Sequence, residues 1–440
     1  MEKNMKLLRT FLIALAAFVL LFQTARAQSD APLVLVMEAK GVVAPAMKEY
    51  IVRGIKTAEQ RNAELLIIKL NTPGGLISEM EIIVQAIRAS QVPVVVYVSP
   101  RGGTAGSAGA VITIAGHASA MAPETIIGAA SPISGEGQDL EETLERKQKE
   151  ALRAQVRALT EARSPEATAL AEEMIEIARA VSASEAIDVG LVDFISSDLD
   201  ELLSQLDGVE VQMPDGPRTL NTVNAQTQDL EMSFIEQLLD ILVNPNITFL
   251  LVTIGVQAIL IEISSPGGWV AGFIGAVCLA LAAYGLGVLP VNWFGVIFLF
   301  LAFALFILEV KTHSFGALTA AGVGSFIIGG LVLFNSPGVP QFQQVSIPLV
   351  VGMGIVTGLV FAVIVGFALR SQRVPLRTGR ESLPGASGTA LSEIDPRGQV
   401  QVHSEQWSAE LAEGEKNIQK GQAIEVVELQ GLRLIVRRKR

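Results

Sequence analysis

The sequence predicts an α/β domain, a bundle of membrane-spanning α-helices and a small all-β domain, in that order along the chain. In the first half, short runs of Val, Ile and Leu alternate with segments whose apolar residues recur at helical spacing. Long apolar stretches with almost no charge follow, and near the end short β-forming stretches lie between glycines. Half of the residues are apolar (50%) and the mean hydropathy is +0.46, which indicates that part of the chain lies in lipid.

The first residues have the pattern of a signal peptide. A basic start is followed by a short apolar core, Phe11–Phe22, and by Ala25-Arg26-Ala27, which matches a small-x-small cleavage site. An uncleaved anchor helix is the alternative, but the apolar core is short for a hydrocarbon layer of ~30 Å. We therefore expect residues 1–27 to be a signal peptide and the domain that follows to be exported.

Residues 28–230 are predicted to form the α/β domain. Runs that are apolar nearly throughout suit strands buried on both faces of a parallel sheet, and they are Leu33–Met37, Leu65–Leu70 and Val92–Val98. Between them, Ala44–Asn62 and Leu76–Ser90 have one apolar and one charged face, typical of helices that cover such a sheet. A long polar helix is expected from about residue 140 to 163, and Ser164-Pro165 begins another. Ligand sites in such sheets lie at the carboxyl ends of the strands.

Residues 231–372 are predicted to form the membrane region. The segment 231–244 is amphipathic and fits a helix that lies in the membrane interface. Five apolar spans follow, at about 247–263, 268–289, 291–309, 314–334 and 346–369. A large soluble core is the alternative, but stretches of this length without charge favour helices that cross a bilayer.

The charges that flank the membrane region predict its orientation. Arg370, Arg373, Arg377 and Arg380 follow the last span, whereas the side before the first span is acidic. Positively charged flanks stay in the cytoplasm. We therefore expect a multi-pass protein of the cell (inner) membrane, with the α/β domain outside the cytoplasm and the C-terminal domain inside it.

Residues 383–440 are predicted to form a small barrel of the OB type. The β-forming stretches Gln399–Val402, Ala423–Glu428 and Leu432–Val436 are separated by Gly421 and Gly431. Nucleic-acid binding is not expected, because the net charge of −11 leaves no strongly basic face. The basic residues at the C-terminus are more typical of solubility or of contact with anionic lipid.

Two glycine-rich turns follow predicted strands of the α/β domain. Asn71–Gly75 ends the second strand, and Arg101–Ala110 follows the third. Consecutive glycines leave backbone N–H groups uncovered, as an oxyanion hole requires. Ser107 lies among small residues at the expected start of a helix, where a substrate carbonyl group can reach its hydroxyl. A purely structural turn is the alternative, so a catalytic role for Ser107 needs a base nearby.

The histidines are poorly placed to be that base. His313 lies at a membrane boundary, His403 lies in the C-terminal domain, and His117 lies at the far end of the helix that Ser107 begins. A base must come within hydrogen-bonding distance of the proton that it takes. A Ser-His-Asp triad is therefore not expected, and His117 is interpreted as structural.

Lysine can replace histidine in Ser-Lys pairs. After Ser107, the lysines of the exported domain are Lys147 and Lys149. A lysine base must be neutral, so its pKa must fall from about 10.4 to about 7–8 in a desolvated pocket. No paired His, Asp or Glu spacing indicates a metal, and the single cysteine, Cys278, excludes an intrachain disulfide and a cysteine metal cage. Neither a metal nor a cofactor is expected.

Several short motifs occur in a specific order along the chain. They are Thr72-Pro73-Gly74-Gly75, Gly103–Gly109, Met121-Ala122-Pro123, Ile127–Ala130, Ser184-Glu185-Ala186 and Gly190–Asp193. With the membrane spans and the OB-like tail, they resemble the NfeD family of membrane-bound serine proteases, and the resemblance covers nearly the whole mature chain. It implies a ClpP/crotonase-like fold for residues 28–230. It also implies a stomatin- or prohibitin-like membrane protein as partner or substrate, and a homo-oligomer formed through the protease domain.

The same resemblance implies roles for individual residues. Ser107 is the nucleophile and Lys147 is the base, with Lys149 as the second choice. The backbone N–H groups of Gly74 or Gly75 and of Ala108 form the oxyanion hole. The chain departs from the family pattern at residues 163–166, where the family tends to have a Gly-Arg-Asn-like turn.

Three hypotheses about function follow. The preferred one is a membrane-anchored serine endopeptidase that uses a Ser-Lys dyad on membrane-associated proteins. The alternative is a non-catalytic membrane scaffold that organises a stomatin-like assembly. A crotonase-type enzyme acting on acyl thioesters would use a similar oxyanion hole, but export argues against it because such cofactor thioesters are not expected outside the cytoplasm.

Overall fold

The structure is a computed structural model that describes residues 31–132, 142–264, 268–312, 314, 316–335, 343–372 and 382–439. The expected signal peptide, residues 1–27, lies outside the described residues. So do His313, the Pro- and Gly-rich break at 337–340, and Arg373, Arg377 and Arg380.

The α/β domain is built on a parallel sheet with the strand order β11-β1-β2-β3-β5-β8. Its strands are β1 (Leu33–Lys40), β2 (Leu65–Asn71), β3 (Val94–Val98), β5 (Ala118–Met121), β8 (Phe194–Ile195) and β11 (Gln226–Asp229). Each pairs in parallel with its neighbours. All five residues of β3 are buried, which explains why the predicted strands are apolar throughout.

Alternate residues of the strands fill two separate cores, one on each face of the sheet. Leu35 and Met37 pack with α1 (Pro45–Gln60), α2 (Ile77–Ala89) and α3 (Ala108–Ala115). Val34 and Val36 point to the other face, where they pack against α7 (Leu199–Leu206) and the hairpin of β9 (Glu210–Met213) and β10 (Gly216–Thr219). The two-residue period of a strand therefore gives both sides of the sheet a core.

A second, small sheet positions the glycine-rich turns. It contains β4 (Thr104–Gly106), β6 (Ile126–Gly128) and β7 (Ala180–Ser182), in that order. The N–H of Thr72 donates to the Thr104 carbonyl (2.7 Å), and the N–H of Gly106 donates to the Thr72 carbonyl (2.9 Å). These bonds fasten the turn after β2 to β4, so the two glycine-rich turns meet at the carboxyl edge of the main sheet.

Residues 163–166, where the chain departs from the family pattern, are held to the α/β domain by an ion pair. Helix α4 (Glu142–Leu159) ends before it, and α5 (Pro165–Glu176) begins after Ser164, whose hydroxyl accepts a hydrogen bond from the helix. Both terminal nitrogens of Arg163 pair with the Asp193 carboxylate at 2.9 Å. Asp193 also accepts from the Ser119 N–H (2.8 Å). The aspartate at the end of the Gly190–Asp193 motif thus joins the α4–α5 connection to β5. Helix α6 (Ala183–Asp188) precedes the same motif.

The membrane region contains an amphipathic helix and five apolar helices. The amphipathic one is α8 (Phe234–Leu242), and the apolar ones are α9 (Pro245–Ser264), α10 (Val270–Val288), α11 (Trp293–Lys311), α12 (Ala317–Phe334) and α13 (Ile347–Gln372). Over the described residues, α9, α10 and α12 are long and apolar enough to cross a membrane, whereas the apolar stretches of α11 and α13 are shorter. A Cβ atom on Gly275 of α10 would lie 2.9 Å from the Gly255 carbonyl oxygen of α9. Glycines therefore let these two helices approach closely, as in other membrane bundles.

The C-terminal domain is a closed five-stranded barrel with the order β12-β13-β14-β16-β15. Its strands are β12 (Ser387–Ala390), β13 (Arg397–Val402), β14 (Glu405–Leu411), β15 (Ala423–Gln430) and β16 (Arg433–Arg438). Ile394, Val400, Ile424 and Leu434 are fully buried inside it. The predicted fold class, an α/β domain followed by apolar helices and an OB-like barrel, is therefore confirmed.

Candidate active site

Ser107 lies at a sharp turn between β4 and α3. Its backbone has φ 51° and ψ −119°, a region that L-residues avoid and that costs on the order of 1–3 kcal/mol. The turn is held on both sides, because the Ser107 N–H donates to the Gly128 carbonyl (2.8 Å) and the Ala110 N–H donates to the Ser107 carbonyl (3.0 Å). The serine is thus presented at the start of a buried helix in a conformation that the surrounding hydrogen bonds impose.

The first glycine-rich turn, Asn71–Gly75, packs directly against Ser107. A Cβ atom on Gly74, whose φ is +118°, would lie 2.5 Å from the Ser107 Cβ atom. A Cβ atom on Gly75 would lie 2.1 Å from the Val43 carbonyl oxygen. Neither position can hold a larger residue without moving backbone, so these two glycines are required for the close approach.

Two backbone donors next to Ser107 remain available. The Gly74 N–H is engaged by the Thr72 hydroxyl (3.0 Å). The N–H groups of Gly75 and Ala108 have no hydrogen-bond acceptor among the described residues, and both residues line the same cavity as Ser107. Of the glycines named from the sequence, Gly75 is therefore the one with a free donor.

The cavity at Ser107 is small and largely apolar, with a volume of about 50 Å³. Its remaining walls are formed by Ile77, Met80, Val111, Ala130, Ser131, Pro132 and Leu152. Its lining favours an apolar group. Leu152 comes from α4, so that helix forms one wall of the cleft.

The two candidate lysines lie on α4, before Leu152. The Lys147 side chain is exposed and is not among the residues that line the cavity. The Lys149 ammonium pairs with the Glu145 carboxylate at 2.8 Å, and this hydrogen bond raises the pKa of Lys149. Lys149 is therefore poorly suited to accept a proton while that pair is intact. The described structure brings Ser107, Gly75 and Ala108 together, but it does not bring Lys147 to them.

His117 has the structural role expected of it. Its Nδ1 atom accepts a hydrogen bond from the Val94 N–H (3.1 Å), which ties the end of α3 to β3. Burial, with a smaller contribution from Arg88, lowers the pKa of His117 to about 4. The ring is therefore neutral at physiological pH. Of the other histidines, His403 lies in the barrel, and among the described residues no group of His, Cys, Asp and Glu is placed to hold a metal ion.

Two supporting residues were not anticipated from the sequence. Thr72 accepts a hydrogen bond from the Gly74 N–H with its hydroxyl, and its backbone N–H and carbonyl both bond to β4, at Thr104 and Gly106. Gly128 accepts from the Ser107 N–H, and a Cβ atom there would lie 2.3 Å from the Arg179 carbonyl oxygen. Both belong to the quoted motifs, but their roles depend on the pairing of short strands that no periodicity reveals.

Comparison with known proteins places three family domains along the chain. Residues 33–213 match "NfeD1b, N-terminal domain", residues 246–367 match "NfeD integral membrane domain", and residues 380–438 match "NfeD-like C-terminal, partner-binding domain". The matches follow the order of the α/β domain, the apolar helices and the barrel. They confirm the resemblance drawn from the sequence motifs.

Individual relatives cover almost the whole chain. "Membrane-bound protease PH1510" from Pyrococcus horikoshii is 36% identical over 417 residues, which are 93% of this chain and 94% of that protein. "Membrane protein NfeD1b" from Bacillus subtilis is 25% identical and covers 98% of each chain. Among solved structures, a mutant of the 1510-N membrane-bound stomatin-specific protease in complex with a substrate peptide is 33% identical, with a TM-score of 0.45 over 48% of this chain and 98% of that one.

Proposed function

The chain is a membrane protease that belongs to the NfeD family, and we propose that it is a serine endopeptidase with Ser107 as nucleophile and Lys147 as general base. The observation that carries the proposal is the geometry at Ser107. A strained serine at a helix start lies beside two N–H groups, of Gly75 and Ala108, without an acceptor among the described residues. Uncovered donors next to a nucleophile are what an oxyanion hole requires.

The proposed reaction is acyl transfer to water. Lys147 takes the proton from the Ser107 hydroxyl, and the oxygen attacks the peptide carbonyl carbon, whose π electrons move to the carbonyl oxygen. The N–H groups of Gly75 and Ala108 stabilise that oxyanion. The C–N bond then breaks, the leaving amine takes the proton back from the Lys147 ammonium, and water hydrolyses the acyl-enzyme by the same steps.

The assignment of Lys147 requires its side chain to approach Ser107. The Lys147 side chain is exposed, and a lysine amine acts as a base near neutral pH only where water is excluded. The Lys147 amine must therefore reach Ser107 and be shielded from water when a substrate occupies the cleft. Catalytic hydrogen bonds are often loose without substrate and tighten in the complex.

Substrate and partner follow from the relatives. One relative is a stomatin-specific protease, and the family domain that matches the barrel is partner-binding. We extend these properties to this chain as proposals. The substrate is a membrane-associated protein such as a stomatin- or prohibitin-like protein, the barrel binds a protein partner, and the protease domain forms a homo-oligomer.

The location is proposed on the charges that flank the membrane region. The protein lies in the cell (inner) membrane, with the domain of residues 28–230 outside the cytoplasm and the domain of residues 383–440 inside it. Residues 1–27 would be removed as a signal peptide, and residues 231–372 would anchor the protein.

A fluorophosphonate probe tests the dyad directly in purified full-length protein. The wild type should be labelled, and Ser107→Ala and Lys147→Ala should lose labelling. Ser131→Ala is the matched control, because Ser131 lines the same cavity but its hydroxyl donates to the Ile175 carbonyl. Labelling that survives in Lys147→Ala and is lost in Lys149→Ala would move the base to Lys149.

The second candidate function is a non-catalytic scaffold. It is favoured by the exposed position of Lys147 and by the partner-binding description of the C-terminal family domain. In a scaffold, Ser107→Ala would leave every cellular function of the protein intact. Loss of function in Ser107→Ala, with unchanged protein level and oligomeric state, would exclude it.

A further inference from the structure

Helix α8 has an apolar face that nothing in the described structure covers. Phe234 is 78% exposed, Ile235 67%, Leu238 37% and Ile241 53%. These positions lie on one side of the helix. The helix directly follows the α/β domain and directly precedes the first apolar helix.

The opposite face of α8 is fastened to the α/β domain. Glu236 is 6% exposed, and its two carboxylate oxygens accept from the guanidinium of Arg53 on α1 at 2.7 Å and 2.8 Å. Arg53 also donates to the Glu231 carbonyl (2.7 Å), and the Tyr50 hydroxyl donates to the Leu230 carbonyl. We call the Arg53–Glu236 pair the latch. Bidentate pairs of this kind fix an orientation as well as a distance.

The end of α8 is held against the start of α9 and the end of α10. Its last residue, Leu242, accepts a hydrogen bond through its carbonyl from the Thr248 hydroxyl of α9 (2.8 Å). A Cβ atom on Gly285, near the end of α10, would lie 2.5 Å from the same carbonyl oxygen. Helix α8 therefore ends where α9 begins and α10 finishes. Since α9 and α10 are long and apolar enough to cross a membrane, we expect the surface of the bilayer at that level.

The wall of the catalytic cleft is close to this boundary. Ile77 and Met80 of α2 line the cavity at Ser107. Between them along the helix, the Glu79 carboxylate lies 3.7 Å from the Lys48 ammonium, and both charges are within electrostatic range of Tyr284 on α10. The charges of Lys48 and Glu79 are thus close enough to interact electrostatically with the C-terminal part of α10.

We propose that the apolar face of α8 is inserted into the headgroup region of the bilayer and that the latch holds the cleft beside the membrane surface. Lipid is the occupant because the apolar face continues directly into the membrane-spanning surface of α9 and α10. The substrates are then protein segments that lie next to a membrane. This last step rests on the proposed function, whereas the lipid contact does not.

Fluorescence of a label on α8 tests the lipid contact. In a Cys278→Ala background, Ile235→Cys carries an NBD label in full-length protein reconstituted in phosphatidylcholine/phosphatidylglycerol vesicles. Ile177→Cys is the matched control, because Ile177 is the same residue type, is 68% exposed, and lies at the end of α5 in the α/β domain. The label at Ile235 should emit at shorter wavelength and be quenched by brominated lipid, and the label at Ile177 should do neither.

Two results overturn the lipid contact. A label at Ile235 that behaves like the label at Ile177 places the apolar face in water. A blue-shifted label that brominated lipid does not quench places it against protein, such as a second copy. Ile241→Cys, with 53% exposure on the same face, repeats the measurement if Ile235→Cys does not fold.

Cleavage of two peptides of identical scissile sequence tests the role of the latch. One is soluble and the other is tethered by a short linker to a membrane anchor. Arg53→Gln should slow cleavage of the tethered peptide at least about fivefold, because the effective concentration of the cleft at the surface falls, while the soluble peptide is cleaved at an unchanged rate. Arg218→Gln, which removes the pair with Glu64 at 3.5 Å, should change neither rate.

The outcomes separate the latch from the proposed function. If Arg53→Gln leaves the ratio of the two rates unchanged, the latch does not position the cleft. If the wild type cleaves neither peptide and Ser107 is not labelled, the proposed function fails, and the NBD measurement still decides the lipid contact.

Discussion

At the scale of single residues, the backbone of Ser107 is the most telling feature of the site. A φ of 51° with a ψ of −119° matches the first central position of a type II′ turn, which favours glycine. A serine at such a position raises the free energy of the folded state. The sequence placed Ser107 among glycines but could not show that it adopts a glycine-like conformation.

Two substitutions at Ser107 separate strain from chemistry. Ser107→Gly and Ser107→Ala should both abolish probe labelling, because both remove the hydroxyl. Ser107→Gly should be the more stable of the two by about 1 kcal/mol, since glycine adopts this φ without a Cβ clash. Thermal unfolding of the detergent-solubilised protein measures the difference. Equal melting temperatures would mean that the turn stores no strain.

His117 gives the folded protein a predictable dependence on pH. Burial lowers its pKa to about 4 from an ordinary value of 6.5, so between these values the unfolded chain binds a proton that the folded protein does not. Above pH 6.5, His117 does not lower the free energy of unfolding. As the pH falls from 6.5 toward 4, proton binding to the unfolded chain lowers that free energy. Going from pH 7 to pH 5 should cost about 2 kcal/mol through this group.

The prediction is checked with His117→Gln, which keeps a polar side chain at the position but does not titrate. Its stability should fall less between pH 7 and pH 5 than that of the wild type, as measured by thermal unfolding at each pH. His403→Gln, on the exposed turn of the barrel, is the control and should follow the wild type. Identical slopes for wild type and His117→Gln would contradict the assignment.

At the scale of elements, two membrane helices begin with the same kind of cap, a glutamate from the preceding helix. Glu262 of α9 accepts from the N–H groups of Trp269 and Gly272 at the start of α10 (3.0 and 3.3 Å). Glu309 of α11 accepts from the N–H groups of Gly316 and Thr319 at the start of α12 (2.9 Å each). The donors lie seven and ten residues after the glutamate in both cases. A carboxylate thus caps each helix start, where backbone donors lack partners and the helix dipole favours negative charge.

Replacing either glutamate should destabilise the membrane region. In Glu309→Gln, one accepting oxygen becomes an NH₂ group that faces a backbone N–H, so a hydrogen bond is replaced by a repulsion. A loss of about 1 kcal/mol is expected, seen as a lower melting temperature in detergent, and Glu262→Gln should behave alike. Glu415→Gln, an exposed position of the barrel, is the control. An unchanged melting temperature in both variants would show that the caps do not contribute to stability.

Elements with strong periodicity were predictable, and the elements that build the site were not. The predicted helix Ala44–Asn62 is found as Pro45–Gln60, because its apolar face is broad and regular. Strands β4 and β6 have three residues each, too few for any period, and they are defined only by pairing with distant partners. Strand β11 is exposed at all four residues, so no apolar pattern marks it. Ser107 was therefore singled out as a candidate nucleophile from its motif, while the strands that position it are defined only by the fold.

At the scale of the whole molecule, an odd number of crossings predicts opposite locations for the two terminal domains. The α/β domain precedes α9, and the barrel follows α13. The acidic flank before α9 and the arginines after α13 both favour a cytoplasmic barrel. The proposed catalytic cleft and the barrel would then lie in different compartments, and a partner bound by the barrel would influence cleavage only through the helices.

Labelling of single cysteines with a membrane-impermeant maleimide tests this orientation. In the Cys278→Ala background, Ile177→Cys reports on the α/β domain and Leu432→Cys, 71% exposed, reports on the barrel. In right-side-out vesicles, Ile177→Cys should be labelled at once, and Leu432→Cys only after detergent opens the membrane. Immediate labelling of both would require an even number of crossings, which means that an odd number of the five helices α9–α13 do not span the bilayer. Helices α11 and α13 are the first to examine in that case, because their described apolar stretches are the shorter ones.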